Sequence, residues 1–382
     1  MTISRRQFVQ AGGAVMATSA TLSWALPALG KPQDAPILMK EAQELYSRSI
    51  VIDMLSEEEL NEKGLKYIVD SAVTCISPTL GVRTPPPSAK GTYMKAAFPF
   101  EGAVEDCAKW KRFIKSNGSK LLHATTAADI ERAKQEGKQA VLFNFQNCPI
   151  EGRLDNLDVF YGLGVRSMQL TYNERNDIGD GSTERTNAGL SDFGIAVIER
   201  MNELGILVDS SHSGHLTTLE AVQFSKRPPI FTHTNCYALS EHPRNKTDEH
   251  IRALAAKGGV MGLTTVNPMI KRDLPVTMEH FIDHIDHIVK LVGVDFVGFG
   301  SDCLVRGWPT DPKEKDEFLG FYGDAYFKPS YRFRYPLGTQ GMNDEHKWLS
   351  VTAGLIKRGY KDEDIVKIIG GNWLRVIRDV VG

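Results

Sequence analysis

The sequence predicts an α/β protein of the (β/α)8, or TIM-barrel, class, and three observations carry that prediction. Short apolar, β-prone runs alternate with helix-like stretches along most of the chain, the pattern that builds parallel sheets. Eight such runs can be counted, enough to close a barrel. Three of the runs stop abruptly at a titratable residue: His212 in LVDSSHSG, His233 in PIFTHTN and Asp302 in VDFVGFGSD. Residues at the carboxyl ends of barrel strands are where such folds keep their chemistry.

Taken in order, residues 37–48 pattern as a helix and 49–57 (SIVIDMLSE) as a buried strand ending in carboxylates. Residues 68–77 read as a second strand, followed by the Pro/Gly-rich loop GVRTPPPSAKG. A helix is expected over 103–116 and another over 126–137, opened by a Thr/Asp cap and closed by Gly137. Strand 139–147, a helix over 154–164 with a glycine stop and strand 165–173 follow, then the polar loop 174–189 and a helix over 192–204. The stretch HLTTLEAVQFSKR links the His212 and His233 runs, so strand, helix and strand form a parallel βαβ unit. That unit sets His212 and His233 on one edge. A helix over 248–259, a strand over 260–267 and a helix over 277–292 lead into the Asp302 run. A long insert, 304 to about 343, precedes two C-terminal helices.

Composition narrows the function classes. The 382 residues are 42% hydrophobic and 24% charged with a formal net charge of −2, ample for a large core. No basic block offers a nucleic-acid footprint. Residues 1–30 are expected to be an export signal: SRRQFV is a twin-arginine pattern, and an uncharged, small-residue stretch follows it. The mature barrel domain is then 31–382, in a periplasmic or otherwise extracytoplasmic setting, with no later membrane-spanning run. Five cysteines at 75, 107, 148, 236 and 303 lack paired spacing and are expected to be small core residues rather than a disulfide framework.

Imidazole and carboxylate suit zinc or a similar divalent ion, so His212, His233 and Asp302 are candidate ligands. Asp302 is also the candidate to take a proton from water activated by such an ion. His280, His284 and His287 lie on one helix but lack the glutamate of an HExxH site, and are expected to be structural. Arg244, in EHPRN, is placed to bind a substrate carboxylate.

The runs DSSHSG, PIFTHTNCYALSEHPRN, TDEHIRALAAKGGVMG, DHIDHIVKLVGVDFVGFGSD and GGNWLRVI resemble the membrane dipeptidase (renal dipeptidase, peptidase M19) family, from about residue 50 to 380. The resemblance implies an amidohydrolase-like barrel with two bridged zinc ions that hydrolyses dipeptides, often as a homodimer. His212 and His233 match two histidines for one zinc, Asp302 a ligand and proton shuttle, and Arg244 the carboxylate-reading arginine. The departures are local. Where the family has a His-x-Asp pair after the first strand, this chain has Leu55 and Glu57; Gln146 falls near the bridging glutamate, and Tyr172 at a substrate-contacting histidine. A neutral amide bridges two cations poorly. One tightly bound Zn2+ on His212 and His233 is therefore expected, with Asp302, Gln146 and Glu57 as further donors and the second position weak.

The sequence thus supports an exported metal-dependent hydrolase cleaving an amide bond in a dipeptide or similar small carboxylate-bearing substrate. A one-metal barrel enzyme that tailors an exported metabolite is the alternative, and a non-catalytic ligand-binding barrel the third.

Overall fold

The computed structural model describes residues 35–81, 98–313 and 337–382. Within them, β1 (Ile52–Asp53), β2 (Cys75–Ile76), β3 (Leu121–Ala124), β4 (Gln139–Phe145), β5 (Val165–Gln169), β6 (Leu207–Asp209), β7 (Ile230–Thr234), β8 (Val260–Leu263) and β9 (Val297–Phe299) form one parallel sheet. β1 pairs with β9, the chain of pairings runs down from β9 to β4, and β2 joins both β1 and β4. That last pairing closes a ring of eight strands, with β3 added along β4. The expected (β/α)8 barrel is what forms.

Side-chain alternation decides what faces inward. On β4, Val141, Phe143 and Phe145 pack outward under the helices, Phe145 edge-on to Phe160 at 4.7 Å. Ala140 and Leu142 point inward, clustered with Ile52, Leu207, Ile230 and Val260. The same alternation turns Asn144 and Gln146 inward, higher up the barrel. The lower end is plugged by Trp373, from the helix Asn372–Val380, whose indole N–H donates to the Phe299 carbonyl at 3.0 Å. Glycine at 262 and 298 makes room for it: a Cβ there would fall 2.9 and 2.3 Å from the indole. An apolar floor leaves the opposite end as the polar mouth.

Three sequence expectations change. Residues 68–70 finish the helix Glu62–Asp70, whose N-terminus is capped by Asn61 accepting from Gly64 N at 2.8 Å. Leu65 and Ile68 share its buried face at helical spacing, so strand β2 begins only at Cys75. Leu121–Ala124 forms a strand outside the eight counted. The strand expected over 260–267 stops at Leu263, and the short helix Asn267–Ile270 follows. Residues 1–34, most of the loop GVRTPPPSAKG, and 314–336 of the long insert lie outside the described residues.

All five cysteines are free and buried. The three helix histidines are structural too. His280 caps Thr277, His284 accepts from Cys236 N and meets the Ile270 carbonyl, and His287 bonds Asp248. Among the described residues no helix is long and apolar enough to cross a membrane.

Candidate active site

His212 and His233 do meet. β6 and β7 end side by side, and the two Nε2 atoms stand 2.8 Å apart, both rings buried. What lies behind each ring fixes what Nε2 can do. His212 Nδ1 faces the Asn173 side-chain oxygen at 2.7 Å, so the proton sits on Nδ1. His233 Nδ1 faces the Thr232 hydroxyl at 2.8 Å, and that hydroxyl donates to Asp209. Asp209 also accepts from Ser211 N at 2.9 Å, Ser211 Oγ at 2.6 Å and Thr232 N at 3.1 Å, so it acts throughout as an acceptor. Thr232 can then only accept from His233, whose proton is also on Nδ1. Two Nε2 lone pairs therefore point at each other, an arrangement that repels until a cation shares them. Second-shell groups that lock a histidine tautomer in this way are the usual companions of a metal site.

The surroundings keep both rings neutral. Burial pushes each imidazole well below its usual range, and the Arg244 and Lys246 charges push the same way. Lys246 is itself buried and donates to the Ser210 carbonyl at 2.7 Å, the Ser213 carbonyl at 3.1 Å and Thr218 Oγ1 at 2.9 Å. It brackets the turn that carries His212. Gln169 Oε1 completes the bracket by accepting from His212 N at 3.1 Å.

The other expected residues are arranged differently. Arg244 is buried, its guanidinium donating to the Ser211 carbonyl and, at 3.4 Å, to the His233 carbonyl. It serves the architecture of the mouth as well as carrying its charge. Tyr172 stacks on His212, ring centroids 4.1 Å apart and planes 19° apart, and Phe98 packs against Tyr172 at 5.2 Å. Asp302 follows β9 with φ at 55°, the left-handed region that a non-glycine residue enters at a cost of about 1–3 kcal/mol. Burial raises its carboxyl to about 7, Arg244 lowering and Asp53 raising it. Glu57 is raised by burial to about 8, with the Thr79 hydroxyl opposing and the Asp302 charge adding to the rise.

Of the residues expected around one ion, His212 and His233 are brought into direct contact. Among the described residues, no three of the His, Cys, Asp and Glu side chains gather into a group that could hold a metal. The donor set fits a single ion shared by the facing Nε2 atoms. It does not fit two bridged ions: the buried Leu55 has no donor atom, and Gln146 offers a neutral amide oxygen where a bridge between two cations calls for a carboxylate.

Asn173, Thr232, Asp209, Gln169 and Lys246 escaped the reading of the sequence. The only signal for them was the density of hydroxyl and acidic residues around SSHS and THTN.

With this geometry in view, the sequence profile described as membrane dipeptidase (peptidase family M19) matches residues 88–317 and 334–381. The chain belongs to the membrane dipeptidase family. Dipeptidase verJ of Clonostachys rogersoniana is 31% identical over 275 residues, 70% of this chain and 62% of that protein. Dipeptidase tcpJ of Claviceps purpurea is 28% identical over 274 residues, 71% of this chain and 58% of that one. The chain thus spans about three-fifths of the length of these curated relatives. Among solved structures, an amidohydrolase from Pseudomonas aeruginosa superposes with a TM-score of 0.78 at 31% identity, covering 89% of this chain and 99% of that one. The probable dipeptidase PvdM from the same organism gives 0.74 at 22% identity, over 90% and 98%, a likeness of fold.

Proposed function

We propose that this family member is an exported metal-dependent hydrolase that cleaves the amide bond of a dipeptide or a similar small, carboxylate-bearing substrate. The observation that carries this reading is the His212–His233 pair, with both lone pairs aimed at one point and both tautomers fixed from behind. Zinc, the metal expected for the family, would be held by those two nitrogens and would supply Lewis acidity toward the scissile carbonyl and the attacking water. The chain's own groups do the rest. Asp302, with a carboxyl raised to about 7, can hold a proton taken from water and pass it to the departing amine near neutral pH. Arg244 supplies positive charge for the substrate carboxylate, and Tyr172 walls the imidazole pair. Export rests on the Arg5–Arg6 pair in SRRQFV, and a homodimer is carried over from the family.

The test is a dipeptide panel, including D-residues at the C-terminal position, on purified protein with zinc restored. Turnover lost in His233→Ala supports the proposal, and no turnover on any member of the panel removes it. Leu55 and Gln146 favour a second reading, in which one metal serves a non-peptide step in tailoring an exported metabolite. Two metal equivalents per chain would count against that reading.

A further inference from the structure

Between the apolar floor of the barrel and the histidine pair lies a polar layer. Asn144 on β4 stands opposite Ser167 on β5, and Gln169 on β5 stands opposite Asp209 on β6. Their neighbours in register, Phe145, Met168 and Val208, pack outward in the main core, so Asn144, Ser167 and Gln169 all turn into the barrel. All three are fully buried. The oxygen and nitrogen of the Asn144 amide, the Ser167 hydroxyl and the Gln169 amide nitrogen have no partner among the described residues. Gln169 is not free to turn round, because its oxygen accepts from His212 N at 3.1 Å.

Buried polar groups left unpaired are costly, so four such atoms on adjoining strands imply a shared partner. Their chemistry says which kind. A cation would serve the Asn144 oxygen and leave both amide nitrogens unpaired, and an anion would do the opposite. A molecule that both donates and accepts serves the whole set, and in a closed protein interior that molecule is water. We propose that ordered water binds between Asn144, Ser167 and Gln169, and that through Gln169 it holds the turn carrying His212. Asn144 and Ser167 are then positioning residues for the histidine pair, acting by fixing the amide whose oxygen receives His212 N. This second half rests on the proposed function in taking the pair as the seat of the metal.

A crystal structure of the full-length, zinc-loaded protein tests the water directly. Density should lie about 2.7–3.2 Å from the Asn144 amide, the Ser167 hydroxyl and the Gln169 nitrogen. Asn144→Leu, similar in shape but apolar, should expel that water and weaken zinc binding about tenfold in competition with a chelator, the low end for an outer-shell loss. Asn144→Ser stays polar and makes room for a second water, so its zinc affinity should stay within about threefold of the wild type. A residue that only filled space would give the opposite order, because serine leaves a cavity that leucine does not. That opposite order, zinc affinity unchanged in Asn144→Leu, or a direct Asn144–Ser167 hydrogen bond with no density between the three side chains would overturn the proposal. Should Asn144→Leu fail to fold, Ser167→Val, which fills the same space from β5, takes its place. Water present in a wild type that takes up no zinc would remove the hydrolase reading and keep the water site; zinc bound without the water would do the reverse.

Discussion

The two sides of the barrel mouth differ in how their titratable groups are held. On the β6–β7 side the Nδ1 atom of each histidine and the Asp209 carboxylate have partners: Asn173 behind His212, Thr232 and Asp209 behind His233, and Lys246 beneath the turn, while the Gln169 amide nitrogen and the Ser210 hydroxyl have none among the described residues. On the β1–β4 side Leu55 offers nothing, Glu57 and Asp302 repel, and the amides of Asn144 and Gln146 keep atoms without partners among the described residues. A hydrogen-bonded network behind a side chain holds its geometry, whereas a buried polar atom without a partner is costly. Within one fold, the histidine pair is held from behind by its own strands, while the amide side chains at the end of β4 are left with unpartnered atoms among the described residues.

The sharpest way to break this contrast is His233→Ala. Turnover should fall by about a thousandfold or more, in keeping with loss of metal-assisted catalysis, and elemental analysis should find the bound metal gone. Retained metal would mean that the β6–β7 side is not the ion's seat. Next comes Asp209→Asn, which touches neither ion nor substrate but weakens the lock on the His233 tautomer. Metal affinity should drop about 10- to 100-fold, the usual cost of losing an outer-shell partner, as read by competition with a chelator. Converting the other side is the complementary experiment. Leu55→His combined with Gln146→Glu should raise bound metal from one to two equivalents per chain, and a count that stays at one would show that more than these two side chains separates the sides.

The smallest effect concerns support behind the β6–β7 side. His284 is buried and neutral, accepting from Cys236 N at 3.1 Å and donating to the Ile270 carbonyl at 2.8 Å, and burial lowers its pKa to about 4. The unfolded chain binds that proton near 6.5, so the stability due to the neutral ring is fully present above 6.5 and is lost as pH falls toward 4. Between pH 7 and 5 it amounts to about 2 kcal/mol. Chemical denaturation at the two pH values should show this loss, and His284→Gln should flatten that part of the slope. An unchanged slope would show that the ring does not titrate between the two states.

The sequence spoke most clearly where strand ends and chemistry coincide. His212 and His233 were legible because each closes an apolar run, and a βαβ unit leaves little choice about where such ends lie. Leu55 and Gln146 were legible as departures from the family pattern. Asn173 and Asp209 were not, because their value lies in contacts across 39 and 23 residues that no local pattern encodes. Residues 68–77 misled for another reason: a short apolar run suits either a helix end or a strand, and only the Asn61 cap and the shared face of Leu65 and Ile68 decide. Arg244 was placed correctly on its loop, but its burial against two carbonyls follows from the fold of the whole mouth.

One consequence follows from the backbone at Asp302, which has φ at 55°. Glycine would occupy that conformation with less penalty. A laboratory population selected only for surviving heat would therefore drift toward glycine at position 302, yielding hardier molecules with no carboxyl at the mouth. Any campaign to toughen this protein should hold that codon fixed, or score each survivor for turnover before keeping it.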